Sequence, residues 1–130
     1  MLSCVRIPPQ AGSSIGFDLT DVVVAVGDQS HLAWEIAGVV ALAPKPPYGE
    51  LWTCRQPDAL VTWSALSAFA ETWLQVIDGE FTGRQWDGSV ELMISAVDSS
   101  FWTVAARDSA VLARIRESFE RVVDVTPDES

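Results

Sequence analysis

FDLTDVVVAVGDQSHLAWEIAGVVALA, Phe17 to Ala43, is the stretch on which the fold turns. Val22, Val24 and Val26 fall at every second position before the four residues GDQS, and Leu32, Trp34 and Ile36 do the same after them. β-Branched and aromatic residues at period two around a short turn predict a long antiparallel hairpin. The segment PKPPYG, Pro44 to Gly49, then reads as a rigid connection between two halves of one core.

Beyond it, ELWTC and LVTW are short enough that only one of them is expected to join the sheet. SALSAFAETWLQVIDG places Leu66, Phe69, Ala70, Trp73, Leu74 and Ile77 on one helical stripe, with Ser64 as its cap and Gly79 as its end. In QWDGSVELMISAV, Val90, Leu92 and Ile94 alternate with polar or larger neighbours, the pattern of a half-buried strand, and SSFWTVAAR continues extended. DSAVLARIRESFERVV opens with Asp108 as an N-cap and aligns Leu112, Ile115, Phe119 and Val122. Its exposed side pairs Glu117 with Arg121 in the favourable i, i+4 order, which reads as a solvated, self-neutralised face.

Together these elements predict an α+β class: an antiparallel β-sheet of about five strands with two helices packed on one face. A chain of 130 residues is expected to form a single globular domain, with 1–16 an irregular N-terminal segment and 125–130 a flexible tail. IPPQAGSSIG interrupts the apolar run of about 7 to 15 residues that an export signal needs. IAGVVALAP stops at Pro44, short of the roughly 20 residues that span a bilayer. The expectation is a cytoplasmic protein, off the membrane, with Cys4 and Cys54 as reduced thiols.

Eighteen acids against eight bases leave a net charge of -10, which repels phosphate backbones and argues against nucleic acid as a partner. The charge is uneven, with -8 on residues 1–106 and -2 on residues 107–130.

Candidate chemistry is thin. GSSIG, Gly12 to Gly16, matches the nucleophile elbow but lacks the preceding strand, so it reads as a loop. His31, the single histidine, follows the GDQS turn and is expected to be solvated or packed on a neighbour. Two cysteines fifty residues apart and one histidine do not make a zinc site. The acids of DGE (Asp78 to Glu80) and WDG (Trp86 to Gly88) lack calcium-loop spacing and read as turns. Asp18, Asp21 and Glu35 carry no fixed separation and read as solvating charges rather than a catalytic pair. No cofactor, metal or catalytic residue is predicted.

The six tryptophans are more unusual. Trp34 and Trp73 lie on apolar faces and are expected in the core. Trp86 adjoins a turn, and Trp102 falls on the strand face opposite Phe101, so these two either cover a second sheet face as a cross-strand pair or anchor a surface. Asp98, Ser99 and Ser100 read as the turn joining the last two strands. The expected binding patch is Trp86, Asp87, Glu91, Asp98, Ser99, Ser100 and Trp102, an apolar centre within acids.

Such a patch suits a small acidic interaction domain, an inhibitor, adaptor or immunity-type partner of a basic protein. The alternative is a small-molecule-binding domain or minor enzyme with a pocket lined by tryptophan and a carboxylate. A homodimer is a third reading, from the 48% hydrophobic content.

Overall fold

A computed structural model describes residues 2–8, 19–42, 51–54, 61–72, 75–97 and 101–125. The element order is β1 (Ser3–Ile7), α1 (Leu19–Val26), β2 (Ala33–Leu42), β3 (Leu51–Cys54), α2 (Trp63–Thr72), β4 (Gln75–Arg84), β5 (Val90–Val97), β6 (Phe101–Ala106), α3 (Ser109–Ser118) and β7 (Val123–Val125). The strands form one antiparallel sheet in the order β3-β2-β4-β5-β6-β1-β7. The α+β class therefore holds. Among the described residues, seven strands and three helices replace the expected set of about five strands and two helices.

The largest correction concerns α1, which the valine run predicted as a strand. A strand would place Val22, Val24 and Val26 on one face, whereas Leu19, Val22, Val23, Ala25 and Val26 are buried and Val24 is 74% exposed. Leu19, Val22, Val23 and Val26 stand at i, i+3, i+4 and i+7, one stripe of a helix. Valine's helix penalty is only a few tenths of a kcal/mol, against roughly 1.5 kcal/mol or more for each side chain the stripe buries, so packing overrides propensity. The Arg114 guanidinium closes the end of this helix, with Nε and Nη2 donating to the Val26 carbonyl at 3.2 and 2.9 Å.

α2 begins where Thr62 Oγ1 accepts from the Ala65 amide at 3.1 Å, so Thr62 takes the role expected of Ser64. Leu66 and Ala70 are buried as the stripe predicted. The helix is shorter than expected: Ile77 and Gly79 lie in β4, because the chain from Gln75 onward pairs along β2 from Leu42 back to Ala33. The acids Asp78 and Glu80, expected at a turn, therefore sit within a strand. Trp73 and Leu74 lie outside the described residues.

Ser3–Ile7, within the segment expected to be irregular, forms β1 between β6 and β7. This order also separates the cysteines. Cys4 in β1 and Cys54 in β3 lie five strand spacings apart, roughly 24 Å at about 4.8 Å each, far beyond disulfide reach.

One row of residues runs across five strands on the buried face: Ile36, Phe81, Ile94, Val104 and Val5 are successive cross-strand partners. Each is at most 4% exposed. The next row sets Trp34 against Gly83. A Cβ on Gly83 would stand 2.9 Å from both Trp34 Cζ2 and Leu32 Cδ1, so the missing side chain is what admits the indole. α1 touches both α2 and α3, α2 packs on β2, and α3 packs on β6 and β1, so the helices share one face of the sheet. No described helix is long and apolar enough to cross a membrane.

Asp108 caps α3 as expected, accepting from the Ala110 amide at 2.9 Å. Asp108→Ala is expected to cost about 1 kcal/mol, measurable by urea unfolding followed by circular dichroism.

Candidate functional site

The β4–β5 connection is a tight turn with most of its polar groups engaged. The Gly88 amide donates to the Gln85 carbonyl at 2.8 Å and the Gln85 amide to the Ser89 carbonyl at 2.9 Å. Gly88 has φ 87, the left-handed conformation that lets the chain return into β5. Asp87 Oδ1 accepts from the Ser89 amide at 2.9 Å and from the Ser89 hydroxyl at 2.7 Å. From the strand below, Arg84 Nη1 donates to the Gly88 carbonyl at 3.0 Å, while its Nε donates to Glu35 Oε2 at 3.2 Å. Gln85 Nε2 donates to Glu91 Oε2 at 2.6 Å.

On this braced turn Trp86 is 96% exposed. It borders an open groove of about 380 Å³ that is also lined by His31, Leu32, Val61 and Arg84. Among the described residues that line the groove, none is a carboxylate. Glu35 is bonded to the groove-lining Arg84, Asp87 and Glu91 lie on the hairpin, and Asp28 lies in the α1–β2 connection that also supplies His31.

The Ser89 amide, and then its hydroxyl, hold the Asp87 carboxyl below the usual aspartate range. For a carboxylate with a lowered pKa, the stabilising interaction is fully present above the unfolded-state value and is lost as pH falls through the folded one. Ser89→Ala removes the hydroxyl bond and is expected to raise the Asp87 pKa toward its ordinary value in an NMR pH titration.

The expected patch is brought together only in part. Trp86, Asp87 and Glu91 share the β4–β5 hairpin; Asp98, Ser99 and Ser100 lie outside the described residues. Trp102 does not belong with Trp86, either as a surface neighbour or as a cross-strand partner. It is 5% exposed, faces the helices, and pairs with Ala96 and Ile7. Ala96 is five residues along β5 from Glu91, roughly 17 Å at about 3.4 Å per residue. Phe101, its neighbour, takes the open face instead, 4.3 Å beneath the Arg6 guanidinium. Both residues are large and apolar, so alternation in β6 left the choice of face undecided.

Other candidates stay apart. His31 is exposed on the groove, Asp21 is exposed on α1, and Glu35 is paired with Arg84. Asp18 and Gly12 to Gly16 lie outside the described residues. No cluster of three or more histidine, cysteine or acidic side chains suited to a metal occurs among the described residues. The sequence reading missed the groove beside Trp86 and the fastening by Arg84. The hint was the run RQWDG, a long cation and an amide placed directly before a turn. The chain matches no protein-family model, no curated protein and no solved structure.

Proposed function

We propose that this protein is a binding module that captures a basic protein through the tip of the β4–β5 hairpin. The observation that carries this reading is the exposure of Trp86 on a turn fastened by Arg84, Asp87 and Gly88. A tryptophan offers about 150–250 Å² of surface for burial, and leaving it in water forgoes that gain. Held on a rigid turn, it also loses little conformational entropy when a partner covers it, the property that makes tryptophan frequent among interface anchors.

The acids choose the partner. Asp87 and Glu91 share the hairpin with Trp86, and the chain as a whole carries -10, so a cationic surface is attracted and an anionic one is repelled. The groove bordered by Leu32 and Val61 then receives an apolar side chain of the partner next to Trp86.

This function is tested by following association with a captured partner across a salt series. Between about 0.01 and 1 M salt the Debye length shrinks from about 30 Å to about 3 Å. The association rate is expected to fall by about tenfold or more, with a much smaller change in the dissociation rate. A rate that stays flat over that range would remove the electrostatic half of the proposal.

A further inference from the structure

We infer that the sheet face opposite the helices is a contact surface for a second copy of this chain, centred on β5 and β6. Residues paired across neighbouring strands share a face, so Glu80 of β4, Ser95 of β5, Thr103 of β6 and Arg6 of β1 form one row on the side away from the helices. On either side of that row, Met93 pairs with Ala105 and Val97 with Phe101. These six positions of β5 and β6 carry no charge, in a chain with eighteen acids. Five are half-buried and Val97 is exposed.

The two borders of this uncharged strip are opposite in sign. Glu80 is exposed and has no ion pair among the described residues. Arg6 lies over the Phe101 ring, and its Nε is buried with no hydrogen-bond partner. Three strand spacings, roughly 14 Å at about 4.8 Å each, keep the two from pairing within one chain. Nearby acids are already engaged: Glu35 by Arg84, Glu91 by Gln85, and Asp78 by an interaction of its own.

That spacing names the occupant. Stacked sheets lie about 10 Å apart with their strands nearly aligned. A two-fold axis running along the strands, midway between β5 and β6, sets Ser95 against Thr103 of the second copy, Val97 against Phe101 of the second copy and Met93 against Ala105 of the second copy. The same axis carries Glu80 onto Arg6 of the second copy, and does so twice, so each unpaired charge meets an opposite one. A basic protein would meet Arg6 and find no acid in the strip, so the partner drawn to Trp86 is not the occupant here.

Sedimentation equilibrium of the full chain tests this, at about 0.15 M salt, where a Debye length of about 8 Å screens the overall repulsion of two acidic chains. At about 0.3 mM, a dimer with Kd of about 0.1 mM is mostly formed, and a weight-average mass well above that of one chain is expected. Glu80→Arg and Arg6→Glu each set like charges face to face and should raise the dimer Kd by about tenfold or more. An equal mixture of the two variants restores both opposite-charge contacts, so it should recover the wild-type mass, which a variant that had merely misfolded would not do. Trp86→Ala should leave the dimer intact. A wild-type chain that stays monomeric at that concentration, a dimer that survives Glu80→Arg, a mixture no heavier than its components, or a dimer lost with Trp86→Ala would overturn the inference.

Discussion

Trp34→Ala is expected to cost about 3–5 kcal/mol, the largest stability loss of any single truncation in this core. Trp34 is fully buried, its ring lies 5.2 Å from that of Trp63, and its Nε1 donates to the Gln29 carbonyl at 3.3 Å. Gly83 has no side chain because the indole occupies that space, so nothing on the facing strand can fill the hole. Truncation therefore leaves a cavity and also strips the Gln29 carbonyl of its donor. Against a total stability of about 5–15 kcal/mol, the melting temperature should fall by roughly 10–20 °C. Urea unfolding followed by far-ultraviolet circular dichroism measures this, and a loss under about 1 kcal/mol would mean that Trp34 does not fill the site against Gly83.

The second large effect is on binding. Trp86→Ala removes a side chain that is 96% exposed, so stability should change by no more than about 0.5 kcal/mol. If Trp86 is the proposed anchor, affinity for the proposed basic partner should fall by about 2 kcal/mol or more, roughly thirtyfold. The two tryptophans thus make opposite predictions. Trp34 is silent in direct contact with the partner and decisive for folding, and Trp86 is the reverse.

Much of this arrangement was legible before any coordinates. Leu92 and Ile94 in β5, Trp34 and Ile36 in β2, and Leu112 and Ile115 in α3 are all buried as their periodicity predicted. Asp108 caps α3 because an N-cap is a local interaction, set by the residue and its immediate neighbours. The failures were nonlocal. The valine run of α1 satisfies period two as well as a helical stripe over eight residues, and only packing against α2 and α3 separates the two. β1 and β7 are five and three residues long, too short to show a period, and each forms only because a distant strand presents an edge to it.

The binding patch divides along the same line. Trp86, Asp87 and Glu91 share one hairpin because they lie within six residues of one another in the chain. Trp102 was placed with them by assigning it the outer strand face, opposite Phe101, but strand alternation turns it toward the helices on the same face as Val104 and Ile94. The groove bordered by His31 and Val61 joins segments thirty residues apart in the chain, a juxtaposition only the folded sheet creates.

The central claim, that an exposed tryptophan on a braced hairpin is an anchor for a basic protein, is tested most directly by parallel affinity capture from native-cell lysate. Wild-type and Trp86→Ala chains, shown by circular dichroism to be equally folded, are compared by quantitative mass spectrometry. The account predicts a basic protein retained by the wild type and reduced about tenfold or more on the variant. Identical captured sets on the two chains would contradict it.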